Sequence, residues 1–97
     1  MEGQLNNEVL LIGKMISGLY SIQVNNKKAY KVIMKVQNED KSNNIPVIFI
    51  NPEEPYLKKC RNKELSISGH IETKWGIRII VDAYKFEDDK DIQMLVA

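Results

Sequence analysis

The seven residues from Tyr30 to Val36 alternate with a period of two, with Tyr30, Val32, Met34 and Val36 on one side and Lys31, Ile33 and Lys35 on the other. That pattern specifies an extended strand buried on one face, because a helical twist would spread the lysines around the axis. Such a strand is not stable alone and needs sheet neighbours and a core against its apolar face. The rest of the chain supplies candidates. Val9-Leu10-Leu11-Ile12 is a short β-compatible run expected to end in a bend at Gly13. Asn25-Asn26-Lys27-Lys28 reads as a polar turn, and the segment from Asn38 to Asn44 as a turn-rich connection. Ile45 to Ile50 makes a third strand, with Pro46 near its start, where a missing amide is tolerated.

Asn51-Pro52-Glu53-Glu54 carries the marks of a helix start: Asn51 as N-cap, Pro52 in the first turn, and two acids near the positive dipole end. The helix is expected to run through about Cys60. Leu65, Ile67 and Ile71 alternate with Ser66, Ser68 and Glu72 in a fourth strand, and Gly69 marks a bulge or bend within it. A tight connection, Thr73-Lys74-Trp75-Gly76, leads into a fifth strand from Ile77 to about Phe86. The predicted fold is therefore all-β: a five-stranded OB-fold Greek-key barrel with one short helix between its third and fourth strands. One domain over residues 1–97 is expected, with its core at about 5–86, an acidic turn at 87–91 and a short apolar ending. Ile48 and Ile50 share the parity of Pro46, opposite the core, which suggests a dimer seam or a ligand platform.

Charge excludes little in bulk, since fourteen Lys and Arg oppose thirteen Asp and Glu. Its distribution says more: residues 1–85 hold thirteen basic and nine acidic side chains, and residues 86–97 hold one and four. A basic body with an acidic end follows, and the acidic end is expected to lie away from any phosphate-binding groove. A chain of 97 residues buries a modest fraction of its surface, so self-association as a homodimer or homotetramer is expected. Cys60 is the single cysteine and His70 the single histidine, so no disulfide and no zinc cluster can be assembled, and a cytoplasmic setting is the default. No apolar run approaches a membrane span, and the N-terminus lacks the layout of a secretion signal.

Asn7-Glu8-Val9-Leu10-Leu11-Ile12-Gly13 resembles the opening strand of the bacterial single-stranded DNA-binding protein family, Asn-x-Val-x-Leu-Ile-Gly. Four further pieces follow in the family's order: Val47 to Ile50, Tyr56-Leu57-Lys58-Lys59, Ile67 through Trp75, and Gln93-Met94-Leu95. The stretch Ile67-Ser68-Gly69-His70-Ile71-Glu72-Thr73-Lys74-Trp75 is similar to the family's Ile-Glu-Gly-x-Leu-x-Thr-x-Lys-Trp, with one residue fewer before Lys74. The connection between the last two strands is shorter than is usual there, and the chain ends at Ala97 without the family's long tail and acidic tip. The related primosomal group called PriB shares the domain without that tail. The resemblance implies binding of single-stranded DNA in replication, recombination or repair, and contact with replication proteins such as a helicase.

Sequence-tolerant binding of single strands needs π-faces for bases and cations for phosphates. Trp75, beside Gly76 and between Lys74 and Arg78, is the leading stacking candidate. Lys31 and Lys35 on the outer face of the second strand, with Lys14 after Gly13, are the phosphate candidates. Tyr20 lies in the connection between the first two strands, a ligand-contacting region of OB-folds, and is a second stacking candidate. Tyr30 and Phe49 fall on core parity, and Tyr56 reads as a packing anchor. Lys58, Lys59, Arg61 and Lys63 complement a helix C-terminus, and Cys60 reads as inert packing. His70 has no nucleophile or orienter beside it in sequence, Asp82 has no obvious second metal ligand, and no Gly-rich phosphate loop occurs, so neither an enzyme nor a cofactor is expected. An accessory protein of the primosome, a protein-only interaction module and an RNA binder remain as alternative readings.

Overall fold

The computed structural model describes residues 7–74, 76–87 and 92–95. In chain order the elements are β1 (Val9–Met15), β2 (Tyr20–Val24), β3 (Lys27–Asn38), β4 (Lys41–Ile50), α1 (Glu54–Lys58), β5 (Glu64–Glu72), β6 (Arg78–Phe86) and β7 (Gln93–Met94). The sheet order β1-β5-β6-β4-β3 closes on itself through β1–β3 pairing at Lys14↔Lys35 and Met15↔Met34. Only β4 and β6 in this ring run parallel. This is the OB-fold barrel, with the helix between its third and fourth strands as expected. β2 and β7 are additions outside the ring, on β3 and β6. No helix among the described residues is long and apolar enough to cross a membrane.

The alternation of β3 is obeyed: Tyr30, Val32 and Met34 are buried in the main core with Val47, Phe49, Leu65, Ile67, Val81 and Tyr84. Rings meet edge to face within it, Phe49 on Tyr84 at 4.9 Å, and Tyr56 lies 5.7 Å from Tyr84 and 5.1 Å from Phe86. Tyr56 thus anchors the helix to the barrel. Leu57 and Cys60 are fully buried beside it. Burial pushes the Cys60 thiol up to about 11, which suits packing and not reactivity.

Two glycines mark places where strands approach too closely for a side chain. A Cβ at Gly13 would lie 2.6 Å from the Lys35 carbonyl oxygen, and one at Gly69 would lie 2.2 Å from that of Ile80. At Gly69 the β5–β6 register shifts, which is the expected bulge. Gly13, however, does not end β1. The strand continues to Met15, and its next turn closes the barrel: Ile16 N–H donates to the Ile33 carbonyl at 3.0 Å, and Ile33 N–H donates to Ser17 Oγ at 2.9 Å. Asn7 extends the other end of β1, its side-chain amide donating to the Ile71 carbonyl at 2.8 Å and accepting from Ile71 N–H at 2.9 Å.

Several expectations are corrected. The segment from Asn38 to Asn44 is not a long connection, because β3 and β4 pair through Asn38↔Lys41 and turn at Glu39 and Asp40. Asn51 is not the N-cap. It has a left-handed φ of 54°, donates its N–H to the Lys28 carbonyl at 2.7 Å, and so forms a turn before the helix. Glu53 occupies the N-cap without a side-chain capping bond, Pro55 and not Pro52 lies in the first turn, and the helix stops at Lys58. Glu54 instead ties the helix to the sheet, accepting a short hydrogen bond from the Tyr30 hydroxyl and pairing with Lys28 at 3.5 Å and Lys58 at 3.9 Å. That hydroxyl, followed by the lysines, holds the Glu54 carboxyl below its usual range.

The most consequential correction concerns Ile48 and Ile50. They are 5% and 4% exposed, in a second apolar cluster with Val24, Ala29 and Ile80. Strand β2 makes the difference. It pairs with β3 through a two-residue turn at Asn25 and Asn26, whose φ values of 51° and 64° give the mirror-image geometry preferred in hairpins. Ile22 and Val24 thereby reach the cluster, so the chain itself takes the place of a dimer seam at Ile50, while beside Pro46 and Ile48 a hollow stays open.

Candidate nucleic-acid interface

The outer face of β3 organises the basic candidates. Lys31 lies opposite Tyr20 of β2 and Ile48 of β4, and Lys35 lies opposite Lys14 of β1 and Asn44 of β4. Lys14, Tyr20, Lys31 and Lys35 are all exposed, Tyr20 to 62%. Lys35 lies four residue steps beyond Lys31 along the strand, roughly 13 Å at the usual rise. The Lys14–Lys35 pair sets two like charges side by side, an arrangement unfavourable in a sheet by itself. Glu64 faces Lys14 from the β5 side.

A row of partners crosses the sheet from this ridge: Tyr20, Lys31, Ile48, Ile80 and His70 stand opposite one another in successive strands. Four strand spacings make the row roughly 19 Å long. In its middle Lys31 and Arg78 line a hollow of about 230 Å³, whose other walls include Ile22, Pro46, Ile48 and Ile79. Arg78 opens β6 opposite Glu72, and its Nε is buried without a hydrogen-bond partner. It also lines a smaller hollow of about 110 Å³ with Gln23, Asn25, Glu72 and Lys74. Lys74 is exposed and bridges to Gly76, whose φ of 95° suits glycine in so tight a connection. Trp75 lies outside the described residues.

His70 was expected to stand alone and does not. Its Nδ1 lies 2.9 Å from Asp82 and its Nε2 lies 3.1 Å from Glu72. The hydrogen bond to Asp82 raises the imidazole's pKa most, partial burial opposes it, and Glu72 adds to the rise. Sequence reasoning missed this cluster because Asp82 is twelve residues away and reaches His70 only through β5–β6 pairing. The Glu72–His70 spacing of two within one strand was the available signal.

A different surface is apolar. On β1, Leu10 and Ile12 are 70% and 57% exposed, and Met94 of β7 is 71% exposed. Leu10 and Ile92 line one shallow hollow with Ser66, Ser68, Ala83 and Lys85.

No protein-family model matches the sequence, and no curated protein matches it. Solved structures do. The chain is similar to the N-terminal domain of the PriB protein from Thermoanaerobacter tencongensis, a dimeric structure, at 18% identity and a TM-score of 0.70, over 88% of this chain and 100% of that one. It is similar to the second single-stranded DNA-binding protein of Mycobacterium smegmatis at 11% identity and a TM-score of 0.68, over 96% and 100% of the two chains. The mitochondrial single-stranded DNA-binding protein of S. cerevisiae shares 10% identity and a TM-score of 0.64, over 84% and 96%. The resemblance read from the sequence is thus borne out in the fold, at identities too low for the residues of a site to be transferred.

Proposed function

We propose that the chain binds single-stranded DNA with little sequence preference, as a binding protein and not an enzyme, within a single OB-fold domain in the cytoplasm. Phosphates pair with Lys14, Lys31, Lys35, Lys74 and Arg78, while Tyr20 and Trp75 stack bases. The observation that carries this reading is the ridge on β3, where exposed Tyr20 stands opposite Lys31 and two lysines stand opposite each other. A phosphate between Lys14 and Lys35 turns their repulsion into a bridge. The fold supports the same face, since OB-folds take oligonucleotides on their second and third strands and the adjoining loops.

Self-association belongs to this reading through Leu10, Ile12 and Met94, in place of Ile48 and Ile50, which are buried within the chain. The dimeric PriB neighbour supports a second reading, an accessory that holds unwound DNA while contacting a helicase or another replication protein. Titrating Trp75 fluorescence with oligo-dT, duplex DNA and RNA at two salt concentrations tests the proposal. Tight binding of oligo-dT, weakening with salt by about 0.7 log units per log unit for each neutralised phosphate, is the expected result. A salt-independent signal, or equal binding of duplex, refutes it.

A further inference from the structure

We infer that the hollow under Lys31 and Arg78 is a seat for a single unstacked thymine, an inference that rests on the proposed binding of single-stranded DNA. Its volume of about 230 Å³ lies below the ~300–1,000 Å³ of sites for drug-sized ligands, which suits one base and not a dinucleotide. Among the described residues no aromatic ring lines it. The walls are Pro46 and branched aliphatic side chains, among them Ile77, which is 81% exposed in the connection leading into β6. An isoleucine held so far into water gains only when something covers it. Aliphatic walls offer a base no ring to stack on, but they do offer contact to a methyl group, and thymine alone among the DNA bases presents one.

The polar complement points the same way. Lys31 and Arg78 are the two charged residues among the described residues on the hollow, and both donate hydrogen bonds without accepting any. A base edge rich in carbonyl oxygens satisfies them, whereas the exocyclic amines of adenine and cytosine add donors where donors already stand. Arg78 is moreover incompletely satisfied, with its Nε buried and unpartnered. Glu72, opposite it in register, is within hydrogen-bond distance of His70 at 3.1 Å. A small movement of the guanidinium onto a thymine carbonyl supplies the acceptor its Nε lacks. Tyr20, opposite Lys31, is placed to stack the next base along the strand.

The test compares oligo-dT with oligo-dU, which differ by one methyl group per nucleotide and share a flexible, weakly stacked backbone. Binding is measured by anisotropy, and isoleucine-methyl NMR is recorded on the full chain with each strand. Oligo-dT is expected to bind about fourfold tighter than oligo-dU, the value of one buried methyl. Cross-relaxation from the thymine methyl is expected at Ile22, Ile48, Ile77 or Ile79. Ile77→Ala, at an exposed position, is expected to bring oligo-dT down to the oligo-dU affinity. Arg78→Lys keeps the charge and is expected to shrink the preference for oligo-dT over oligo-dC. Equal affinities for oligo-dT and oligo-dU, with no thymine contact at these isoleucines, overturn the seat while leaving single-strand binding intact. Failure of every single strand to bind overturns both.

Discussion

The outer surface of β3 and the outer surface of the first half of β1 belong to one closed barrel, yet they present opposite chemistry to water. Along the middle of β3 the exposed positions are Lys31 and Lys35, joined laterally by Tyr20 and Lys14. Along β1 they are Leu10 and Ile12, flanked by the serines of β5, until the row ends at Lys14, where it joins the basic ridge. Strand parity alone makes both rows face outward. The difference lies in what each row asks for: ammonium groups facing one another ask for an anion, and aliphatic side chains left in water ask for another apolar surface. The two requirements are not on separate faces: they meet on β1, where Ile12 and Lys14 are successive outward residues, the first on the apolar side and the second on the basic ridge.

Reversing charge on the ridge should break the contrast most severely. The double variant Lys14→Glu, Lys35→Glu is expected to lose at least about a hundredfold in oligo-dT affinity at low salt, with sedimentation behaviour unchanged, because it substitutes repulsion for two phosphate contacts. An affinity that survives this change moves the DNA path elsewhere on the barrel. The converse variant, Ile12→Glu, should shift the sedimenting species toward a monomer while preserving the circular dichroism of the barrel. Loss of folding instead would assign Ile12 to the fold.

Tyr20→Ala tests the aromatic end of the same ridge. Stacking is worth about 1–3 kcal/mol per base, so binding is expected to weaken by roughly tenfold, with the salt slope retained. A change in slope without a change in affinity would mean that Tyr20 only positions Lys31. The smallest effect concerns pH. Asp82 and Glu72 raise the folded-state pKa of His70 above its unfolded value, so the proton it holds favours the folded chain. That contribution is complete below about pH 6.5 and disappears as pH rises through the folded value. His70→Gln is expected to flatten this part of the stability profile, measured by urea unfolding at several pH values. An unchanged profile would remove the imidazolium from the account.

Much of the fold was legible because strands announce themselves through parity. Tyr30 to Val36 and Leu65 to Ile71 each state which side faces the core, Gly69 states where two strands approach too closely for a Cβ, and Ile45 to Ile50, buried on both faces from Val47 onward, does not. β2 was not legible. Tyr20 to Val24 is short and bounded on one side by a loop, and its apolar residues become informative only once the hairpin brings them over Ile48 and Ile50. The helix start misled because Asn51 suits both an N-cap and a left-handed turn, and only its bond to Lys28 distinguishes them.

The candidate site divides along the same line. The residue types, the alternation that turns Lys31 and Lys35 outward and the inertness of Cys60 follow from local covalent geometry and burial, which a sequence carries position by position. That Lys14 meets Lys35, that His70 sits between two carboxylates and that Arg78 shares a hollow with Lys31 follow from register between strands far apart in the chain. Parity tells a side chain which way to point. What it finds there depends on which strand closes next to it, and only the assembled barrel decides that.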